Sequence, residues 1–453
     1  MEIKLEDNLL INSIINNRMH NSQKNKVELI IRPNCNQKCD YCYLTKYGSE
    51  IYPDSSKISN NQILLNLKYI IEYFLQKEYC IDELEIFAGD LFYDDFFFDI
   101  MEILYNFYKK TKKEKNALIT IPCNMSFCND SEKIKKVSQI ISKFKEINIT
   151  IYFSYSSDGI YATKTREHHP ITEEFTDTVL SFCKQNNGGI HPMIGYENID
   201  VAIKNYEWWK EKCSKFNIKV NNLPIPYFLE VRNNGWTFNA IQKYQEFLSY
   251  ILNDIYKTYC NNSTNNFIEN YFSLYTYNDN KFILNNKSNI YTFIYQKFSD
   301  TSAHCNLQNN NLTINCMNKT IVPCHRLAYP FLSGGHFELN SNNQLELKAN
   351  ENINGYINLS EYNNTDKPGC VTCPINSICM KGCIGAQFEY YGDSFFNIPD
   401  VCQLLKSKYK TLFNFYEEIN LFDILIHEYP NFPDLPEILK IRNFFLNGGF
   451  DNE

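Results

Sequence analysis

The segment Cys35–Cys42 reads CNQKCDYC and places three cysteines in the spacing C-x3-C-x2-C, shortly after the apolar run Val27–Ile31. Three thiolates on one loop can hold three irons of a [4Fe–4S] cube, which leaves the fourth iron without a protein ligand. Parallel α/β folds place their chemistry at the carboxyl ends of the strands, where this loop falls. The spacing therefore predicts an iron–sulfur site with one iron open to an external ligand.

The alternative for this segment is a zinc site or a set of buried cysteines. Zinc sites usually pair their ligands as two C-x2-C units. This segment has three cysteines and no nearby histidine. The cluster is therefore the favoured interpretation, and a non-catalytic zinc-binding interaction protein remains the alternative.

The same segment, including the aromatic Tyr41 before its last cysteine, resembles the signature of radical S-adenosylmethionine (SAM) enzymes. In that family Cys35, Cys39 and Cys42 would hold the cluster, and the open iron would bind the amino and carboxylate groups of SAM. Reduction then releases a 5′-deoxyadenosyl radical that takes a hydrogen atom from the substrate. The resemblance therefore implies a SAM-dependent oxidoreductase.

Three later segments fit this resemblance. FAGDL stands where the family usually has Gly-Gly-Glu-Pro, so Asp90 keeps the carboxylate on a shorter side chain. PCNMS stands where relatives often have Thr-Asn-Gly, and YSSDG resembles the Ser-x-Asp-Gly of the family, with Ser156, Asp158 and Gly159. The residues that the resemblance places near SAM are Tyr41, Ala88, Gly89, Asp90, Asn124, Ser156 and Arg166.

A second cysteine group near the C-terminus has the spacing C-x2-C-x5-C-x3-C. With three outlying cysteines it resembles the SPASM domain, which holds two auxiliary [4Fe–4S] clusters. The resemblance implies that one cluster uses Cys370, Cys373, Cys379 and Cys402, and that the other uses Cys305, Cys324 and Cys383. We expect Cys316 to complete the second site, or the site to stay open for substrate. Lys319 stands where the family has glycine, and a zinc ribbon is the alternative for this group.

Six short apolar runs alternate with amphipathic stretches over residues 27–258, which predicts a mostly parallel sheet with crossover helices. Ser59 and Gln62 predict a capping box at the start of the clearest helix. The expected fold class is α/β: a partial (β/α)6 radical SAM barrel followed by a small Cys-rich SPASM domain and a C-terminal helical tail. The expected segments are an N-terminal extension (1–26), the barrel (27–258), a bridging region (259–303), the SPASM domain (304–402) and the tail (403–453). The SPASM stretch is expected to have little core of its own.

Enzymes with these features mostly modify peptides or proteins. We therefore expect a maturase that forms a thioether or carbon–carbon crosslink, or inverts a stereocentre, in a ribosomally made peptide. A formylglycine-forming enzyme like the anaerobic sulfatase maturases is the alternative, although those enzymes have an aspartate where this chain has His325, followed by Arg326. A neutral His325 could accept a substrate proton. The partners would be a precursor peptide or protein and a reducing donor such as flavodoxin or ferredoxin.

The overall composition narrows the other classes of function. The net charge is −8, and no basic run of the kind that binds phosphate backbones occurs, so a nucleic-acid partner is not expected. No run of about 18 apolar residues predicts a membrane span. The 17 cysteines are not accompanied by a recognisable export signal, so a reducing cytoplasm is the expected location.

Overall fold

The computed structural model describes residues 5–20, 25–92, 95–111, 116–162, 171–219, 223–226, 228–267, 274–278, 281–284, 311–342, 344–360, 368–379, 381–392, 396–428, 430–431 and 435–450. The chain divides into two compact units, each built from separated stretches. The first unit comprises residues 1–157, 166–190 and 305–362, and the second comprises residues 158–165, 191–304 and 363–453. Each unit thus combines stretches that lie far apart in the chain. The five consecutive segments expected from the sequence therefore remain a prediction.

The strands, in chain order, are β1 (Lys26–Arg32), β2 (Glu83–Ala88), β3 (Ala117–Cys123), β4 (Ile149–Ser157), β5 (Gly188–Ile194), β6 (Leu229–Glu230), β7 (Leu274–Asn278), β8 (Lys281–Leu284), β9 (Leu312–Asn315), β10 (Thr320–Val322), β11 (Gly335–Leu339) and β12 (Leu345–Ala349). The helices are α1 (Leu5–His20), α2 (Tyr43–Ile51), α3 (Asn60–Gln76), α4 (Phe96–Lys110), α5 (Ser131–Lys145), α6 (Glu173–Asn186), α7 (Ala202–Phe216), α8 (Phe238–Thr258), α9 (Thr264–Phe267), α10 (Ile353–Ser360), α11 (Ile384–Tyr391), α12 (Pro399–Glu418), α13 (Leu421–Glu428) and α14 (Leu435–Leu446).

A sheet with the strand order β12-β11-β10-β9-β1-β2-β3-β4 organises the first unit. The strands from β9 to β4 run parallel to one another, with helices in the crossovers from β1 to β4. On β3 and β4 the side chains alternate between fully buried and partly exposed. The buried set includes Ile119, Ile121, Ile151 and Phe153. The predicted α/β class with a parallel sheet and a helical C-terminal part is confirmed. The opposite face of this sheet, called the accessible face below, is partly exposed at Thr120 and Tyr152 of β3 and β4 but buried at Glu28 and Thr313 of β1 and β9.

Helix α3 shows how closely the local prediction holds. Ser59 caps it, and its hydroxyl accepts from the N–H of Gln62 at 3.2 Å. The reciprocal half of the predicted capping box is missing, because the Gln62 side chain bonds Asn66 one turn later, at 3.0 Å. The prediction of a capping box is therefore correct for Ser59 and wrong for Gln62. Burial of Asn66 explains the exchange, since its amide in turn donates to the carbonyls of Cys316 and Met317.

The strands β9 to β12 are the main departure from expectation. Residues 304–402 were expected to have little core, yet Leu312, Ile314, Ile321 and Phe337 are completely buried. Strand β9 extends the sheet in parallel beside β1, and β10 to β12 continue it as an antiparallel meander. These short strands take their core from the barrel sheet, so the expectation that this segment has little core of its own stays a prediction.

Helix α1 protects the outer edge of this meander. The side-chain oxygen of Asn8 accepts from the backbone N–H of Ala349 at 2.7 Å, and the Asn12 amide donates to the carbonyl of Leu347 at 3.0 Å. These bonds satisfy backbone groups of β12 that an edge strand would otherwise expose. The N-terminal extension thus serves the fold of the first unit.

In the second unit, β5 and β6 form a parallel pair and β7 and β8 an antiparallel pair. Helices α7, α8 and α12 to α14 supply most of its buried side chains. A buried ion pair joins Lys408 of α12 to Glu230 of β6, and Tyr244 of α8 also donates to Glu230 at 2.7 Å. Among the described residues, no helix has both the length and the apolar character needed to cross a bilayer.

Candidate active site

The three cysteines of the first group lie on the loop between β1 and α2. Cys39 is buried, and Cys35 and Cys42 are partly exposed. Two backbone donors shape the loop: the N–H of Cys42 bonds the carbonyl of Cys39 at 3.0 Å, and the N–H of Gln37 points at the sulfur of Cys35 at 3.3 Å. Cys42 also immediately precedes α2, as its N-cap residue. Tyr41 lies partly buried on the same loop.

Burial raises the pKa of the Cys35 thiol to about 12, against the stabilising N–H of Gln37, and negative charge on Asp90, Cys39 and Cys42 raises it further. The three thiols are thus near enough to influence one another, and deprotonating them together requires a compensating positive charge. A bound iron cluster supplies such a charge and inverts the local pKa behaviour.

The segment after β2 docks against this loop. The N–H of Gly89 donates to the carbonyl of Arg32 at 2.9 Å, and the N–H of Asp90 donates to that of Asn34 at 2.7 Å. A Cβ at Gly89 would lie 2.3 Å from the carbonyl oxygen of Asn34, so only glycine permits this approach. The strand end and the cysteine loop are therefore one local structure. The side chain of Ala88 lies outside the described residues.

Asp90 is buried and accepts two hydrogen bonds from its surroundings. One oxygen accepts from the N–H of Phe92 at 3.1 Å, and the other accepts from the hydroxyl of Ser126 at 2.7 Å. Asp90 thus links the second and third strand ends. Sequence reasoning missed Ser126, although it lies two residues after Asn124 in the segment that was singled out.

The side chain of Asn124 faces the cysteine loop. Its amide donates to the side chain of Asn36 at 2.6 Å and lies 4.0 Å from the sulfur of Cys35. Its carbonyl oxygen accepts from the N–H of Ser126 at 3.0 Å. Asn36 lies between two predicted ligands and was also missed, because its role depends on the contact with Asn124.

A cavity of about 110 Å³ opens beside the cysteine loop in the first unit. It contains two of the residues predicted to face SAM, Asn124 and Ser156. Its full lining is Asn36, Gln37, Asn124, Ser126, Asn129, Tyr155, Ser156, Ile171, Thr172 and Phe175. Arg166 lies outside the described residues. The cavity lies at the carboxyl ends of β1, β3 and β4.

The rest of YSSDG begins the second unit. Gly159 has a φ of +93°, and a Cβ there would lie 2.5 Å from the side-chain oxygen of Asn205. That oxygen also accepts from the N–H of Tyr161 at 3.0 Å. The glycine of the motif is therefore required by backbone geometry, and Asp158 beside it is buried.

The donor set matches an iron–sulfur cluster better than a zinc ion. In the described parts of the chain, no three His, Cys, Asp or Glu side chains are gathered around one position that a single metal ion would occupy. One zinc ion, with Zn–S bonds of about 2.3 Å, would bring its thiolates within about 4 Å of each other. Three soft sulfur donors on one loop, without a fourth ligand, fit a four-iron cluster with an open iron.

The cysteines of the second group meet at one cavity in the second unit, of about 430 Å³. Five cysteines line it, namely Cys370, Cys373, Cys379, Cys383 and Cys402. Cys383 is the N-cap residue of α11 without a side-chain capping hydrogen bond, and Cys402 lies in the first turn of α12. The cavity brings together the four cysteines of the first predicted auxiliary cluster, and it also includes Cys383, which was assigned to the other.

Polar side chains complete this cavity. The amide of Asn397 donates to the sulfur of Cys370 at 2.7 Å, and the N–H of Lys381 points at the sulfur of Cys379 at 3.4 Å. Lys381 is buried in a left-handed conformation, with its ammonium held by Asn376. Burial lowers the pKa of Lys381, while the neighbouring thiols oppose that shift. A cation and an amide donor beside the sulfurs suit bound anionic thiolates.

The structure does not bring Cys316 and Cys324 together. They follow the ends of β9 and β10, and Asn315 pairs with Thr320 while Thr313 pairs with Val322. This register puts the two cysteines at opposite ends of the hairpin, on the order of 15 Å apart at about 3.3 Å per residue. Cys316 is completely buried, and its N–H bonds the carbonyl of Ile30. The expectation that Cys316 completes the cluster of Cys324 stays a prediction that this register does not favour, and Cys305 lies outside the described residues.

His325 extends over the accessible face of the sheet in the first unit. Its Nδ1 lies 2.7 Å from the buried carboxylate of Glu28, and its ring stacks on Phe87 with centroids 3.9 Å apart and planes 6° apart. Arg326 lies over the ring of Tyr43 at 5.3 Å. The contact with Glu28 favours the tautomer with its proton on Nδ1, so Nε2 has the lone pair. Glu28 was missed, although a carboxylate inside the apolar strand KVELIIR is an available sign.

The sheet and the cysteine loop together define the fold of radical SAM enzymes with a SPASM domain. No family model matches the chain, and no curated protein matches it in sequence. Among solved structures the chain is similar to native anSMEcpe with bound AdoMet, with a TM-score of 0.55 and 16% identity over 87% of this chain and 98% of that chain. The name anSME denotes an anaerobic sulfatase-maturating enzyme of the radical SAM/SPASM class.

Two further structures extend the comparison. Hexahistidine-tagged anSMEcpe with bound AdoMet gives a TM-score of 0.52 and 16% identity, over 92% of this chain and 98% of that chain. Streptococcus suis SuiB bound to the precursor peptide SuiA gives a TM-score of 0.45 and 14% identity, over 87% of this chain and 80% of that chain. The fold assignment rests on the two anSMEcpe structures, and at this identity the likeness establishes the shared fold.

Proposed function

We propose that this chain is a radical SAM/SPASM oxidoreductase that modifies a peptide or protein. The observation on which the proposal rests is the docking of Gly89 and Asp90 onto the cysteine loop beside a cavity lined by Asn124 and Ser156. Cys35, Cys39 and Cys42 would hold a [4Fe–4S] cluster. When bound, that cluster would supply the electron that cleaves SAM to a 5′-deoxyadenosyl radical.

The residues of the chain would bind and orient the cofactor. Asp90 would offer its carboxylate to the methionine ammonium, and Asn124 has a side-chain amide beside Cys35. Ser156 would contribute a hydroxyl to the same cleft. In the second unit, Cys370, Cys373, Cys379 and Cys402 would hold an auxiliary cluster, and Cys305, Cys324 and Cys383 would belong to another.

For the substrate we propose a ribosomally made peptide, converted by crosslinking or epimerisation, with a flavodoxin or ferredoxin as electron donor. His325, anchored by Glu28 on the accessible face of the sheet, would accept a proton from the substrate. A formylglycine-forming activity is the second candidate, and the shared fold with anSMEcpe, which this chain matches over 98% of its length, favours it. The histidine in place of the aspartate favours the first.

The first test is anaerobic reconstitution followed by incubation with dithionite and SAM. We expect about 12 irons per chain for three four-iron clusters, and release of 5′-deoxyadenosine. Cys39→Ala should lose about four irons and this release. Cys128→Ala, which changes a buried cysteine outside both groups, is the matched control and should keep them. A protein that binds zinc and releases no 5′-deoxyadenosine would refute the proposal.

The second test separates the two substrates. A peptide with a Cys-x-Pro-x-Arg motif should be converted to formylglycine by a sulfatase maturase and ignored by a precursor-peptide enzyme. We expect no conversion of this peptide by the wild-type protein under conditions in which SAM is cleaved. Formylglycine formation, detected as a mass loss from the cysteine, would establish the second candidate in place of the first.

A further inference from the structure

A row of polar side chains crosses the accessible face of the sheet in the first unit. The strand register aligns Thr313 of β9, Glu28 of β1, Glu85 of β2, Thr120 of β3 and Tyr152 of β4. Adjacent strands lie about 4.8 Å apart. Two carboxyl groups therefore stand side by side in the middle of the sheet, one strand spacing apart.

Among the described residues, only one of the two carboxylate oxygens of Glu28 has a partner. Glu28 is 1% exposed, and one of its oxygens contacts His325. Its other oxygen is buried without a hydrogen-bond partner among the described residues. Beside it, the hydroxyl of Thr313 is also buried without a partner among those residues. Burying a carboxylate oxygen or a hydroxyl group without a hydrogen-bond partner costs folding free energy.

The other charges on this face leave an excess of negative charge. The ammonium of Lys26 lies 2.9 Å from the carboxylate of Glu83. Lys26 and Glu83 come two residues before Glu28 and Glu85 on the same two strands. His325 and Lys26 are the basic groups that act on Glu85, and His325 also contacts Glu28. Burial and the charge of Glu28 raise the pKa of Glu85 to about 7, with His325 and Lys26 opposing. A second carboxylate beside the first thus ionises readily only when a cation is present.

We propose that Glu28, Glu85 and Thr313 bind a cationic side chain of the substrate, an ammonium or guanidinium, next to His325. The inference rests on the proposed function, because it assigns a side-chain class to the substrate of that same site. The cation would meet the unpartnered oxygen of Glu28 and the carboxylate of Glu85, with the hydroxyl of Thr313 as a further acceptor. It would place the adjoining residue of the peptide near His325 and Phe87.

Binding to the reconstituted protein tests this inference without catalysis. The probe is an acetylated, amidated tripeptide with a central lysine, compared at pH 8 with the same peptide containing norleucine, by calorimetry or ligand-observed NMR. Charge-assisted hydrogen bonds contribute about 1.5–3 kcal/mol each, so we expect the lysine peptide to bind tenfold tighter or more. n-Butylammonium distinguishes a free amine from a peptide side chain and should bind more weakly than the lysine peptide.

Glu85→Gln should reduce the affinity for the lysine peptide to that of the norleucine peptide. Glu83→Gln is the matched control, because Glu83 lies on the same strand and pairs with Lys26, and it should change the affinity less than twofold. Equal affinity of the wild-type protein for the two peptides, or equal losses in the two variants, would overturn the inference. If Glu85→Gln does not fold, the wild-type affinity for lysine peptide must rise between pH 6 and pH 8, and a flat profile would overturn it too.

The failure of this inference is distinguishable from that of the proposed function. Release of 5′-deoxyadenosine from SAM in the absence of peptide reports the cluster and the cofactor cleft alone. If that release is present and the lysine preference is absent, the carboxyl pair serves another purpose and the proposed function stands. If that release and the iron are both absent, the proposed function is wrong whatever the peptides do.

Discussion

Nδ1 of His325 lies 2.7 Å from Oε1 of Glu28, although 297 positions separate the two residues in the chain. Glu28 lies on β1, and His325 follows β10. The contact exists because β9 inserts beside β1 in parallel register. The contact holds the imidazole over Phe87. The position of the proposed proton acceptor therefore depends on the pairing of β9 with β1.

Replacing Glu28 by glutamine should weaken substrate turnover through His325. Mutation of a residue that orients a functional histidine typically lowers activity by about 10–100-fold. We expect product formation to fall by about tenfold or more, and by more than the release of 5′-deoxyadenosine without substrate. His325→Gln should be more severe, and Glu83→Gln should resemble the wild type. Full product formation by Glu28→Gln would show that His325 does not depend on this carboxylate.

The unfolding free energy should depend on pH through Glu85. Burial, followed by the charge of Glu28, raises the folded-state pKa to about 7, compared with about 4.3 in an unfolded chain. Between these values the folded state retains a proton that the unfolded state releases. Stability should therefore fall as pH rises through this window, by at most about 1.4 kcal/mol per pH unit.

Urea unfolding of the first unit at several pH values measures this effect. Glu85→Gln should remove the slope contributed by this group, and Glu83→Gln should retain it. An identical pH profile for the wild type and Glu85→Gln would contradict the raised pKa.

The buried ion pair in the second unit should be sensitive to loss of one partner. Lys408→Met leaves the carboxylate of Glu230 buried with Tyr244 and without the ammonium. Such a broken pair costs about 3–5 kcal/mol of unfolding free energy. The double variant Lys408→Met with Glu230→Leu should recover most of that loss, which chemical denaturation would measure. A stable single variant would mean that the carboxylate finds water or another cation.

Lys319 should be a position where glycine stabilises the protein. Its φ of +59° lies in the left-handed region, at the turn between β9 and β10, where the SPASM family usually has glycine. A non-glycine residue in this conformation costs about 1–3 kcal/mol of folding free energy. Glycine avoids this cost, but part of the gain is offset because glycine loses more backbone entropy on folding. Lys319→Gly should therefore raise the unfolding free energy by about 1 kcal/mol. Lys77→Gly, at a φ of −90° after α3, should lower it or leave it unchanged.

Asp90 and Ser126 should separate cofactor binding from local structure. Asp90→Asn keeps the size of the side chain but removes the charge that would hold the methionine ammonium, so SAM affinity should fall by about tenfold or more. Ser126→Ala removes only the 2.7 Å hydrogen bond to Asp90 and should cost stability of about 1 kcal/mol with a smaller effect on SAM. Equal SAM affinities for Asp90→Asn and the wild type would assign Asp90 to structure alone.

The sequence by itself predicted the elements whose cause is local. The alternation of apolar runs with amphipathic stretches predicted strands at β1 to β5 within a few residues, and Ser59 marked the start of α3. The cysteine spacings indicated two separate groups of thiols, one on the loop after β1 and one near the C-terminus, although the cavity of the second unit also includes Cys383, which was assigned to another cluster. These features depend on residues close together in the chain, where spacing and propensity are sufficient.

Only the tertiary structure decided the contacts between distant segments. The strands β9 to β12 are short and lie among turns, and they become strands because β9 pairs with β1, which no local pattern encodes. The register of β9 with β10 separates Cys316 from Cys324 along the hairpin. The pairings of β1 with β2 and with β9 place Glu28 beside Glu85 and Thr313, and His325 contacts Glu28. Register between strands far apart in sequence is set by the burial of a whole sheet face, so the folded sheet, and not the motif, determines which polar groups meet.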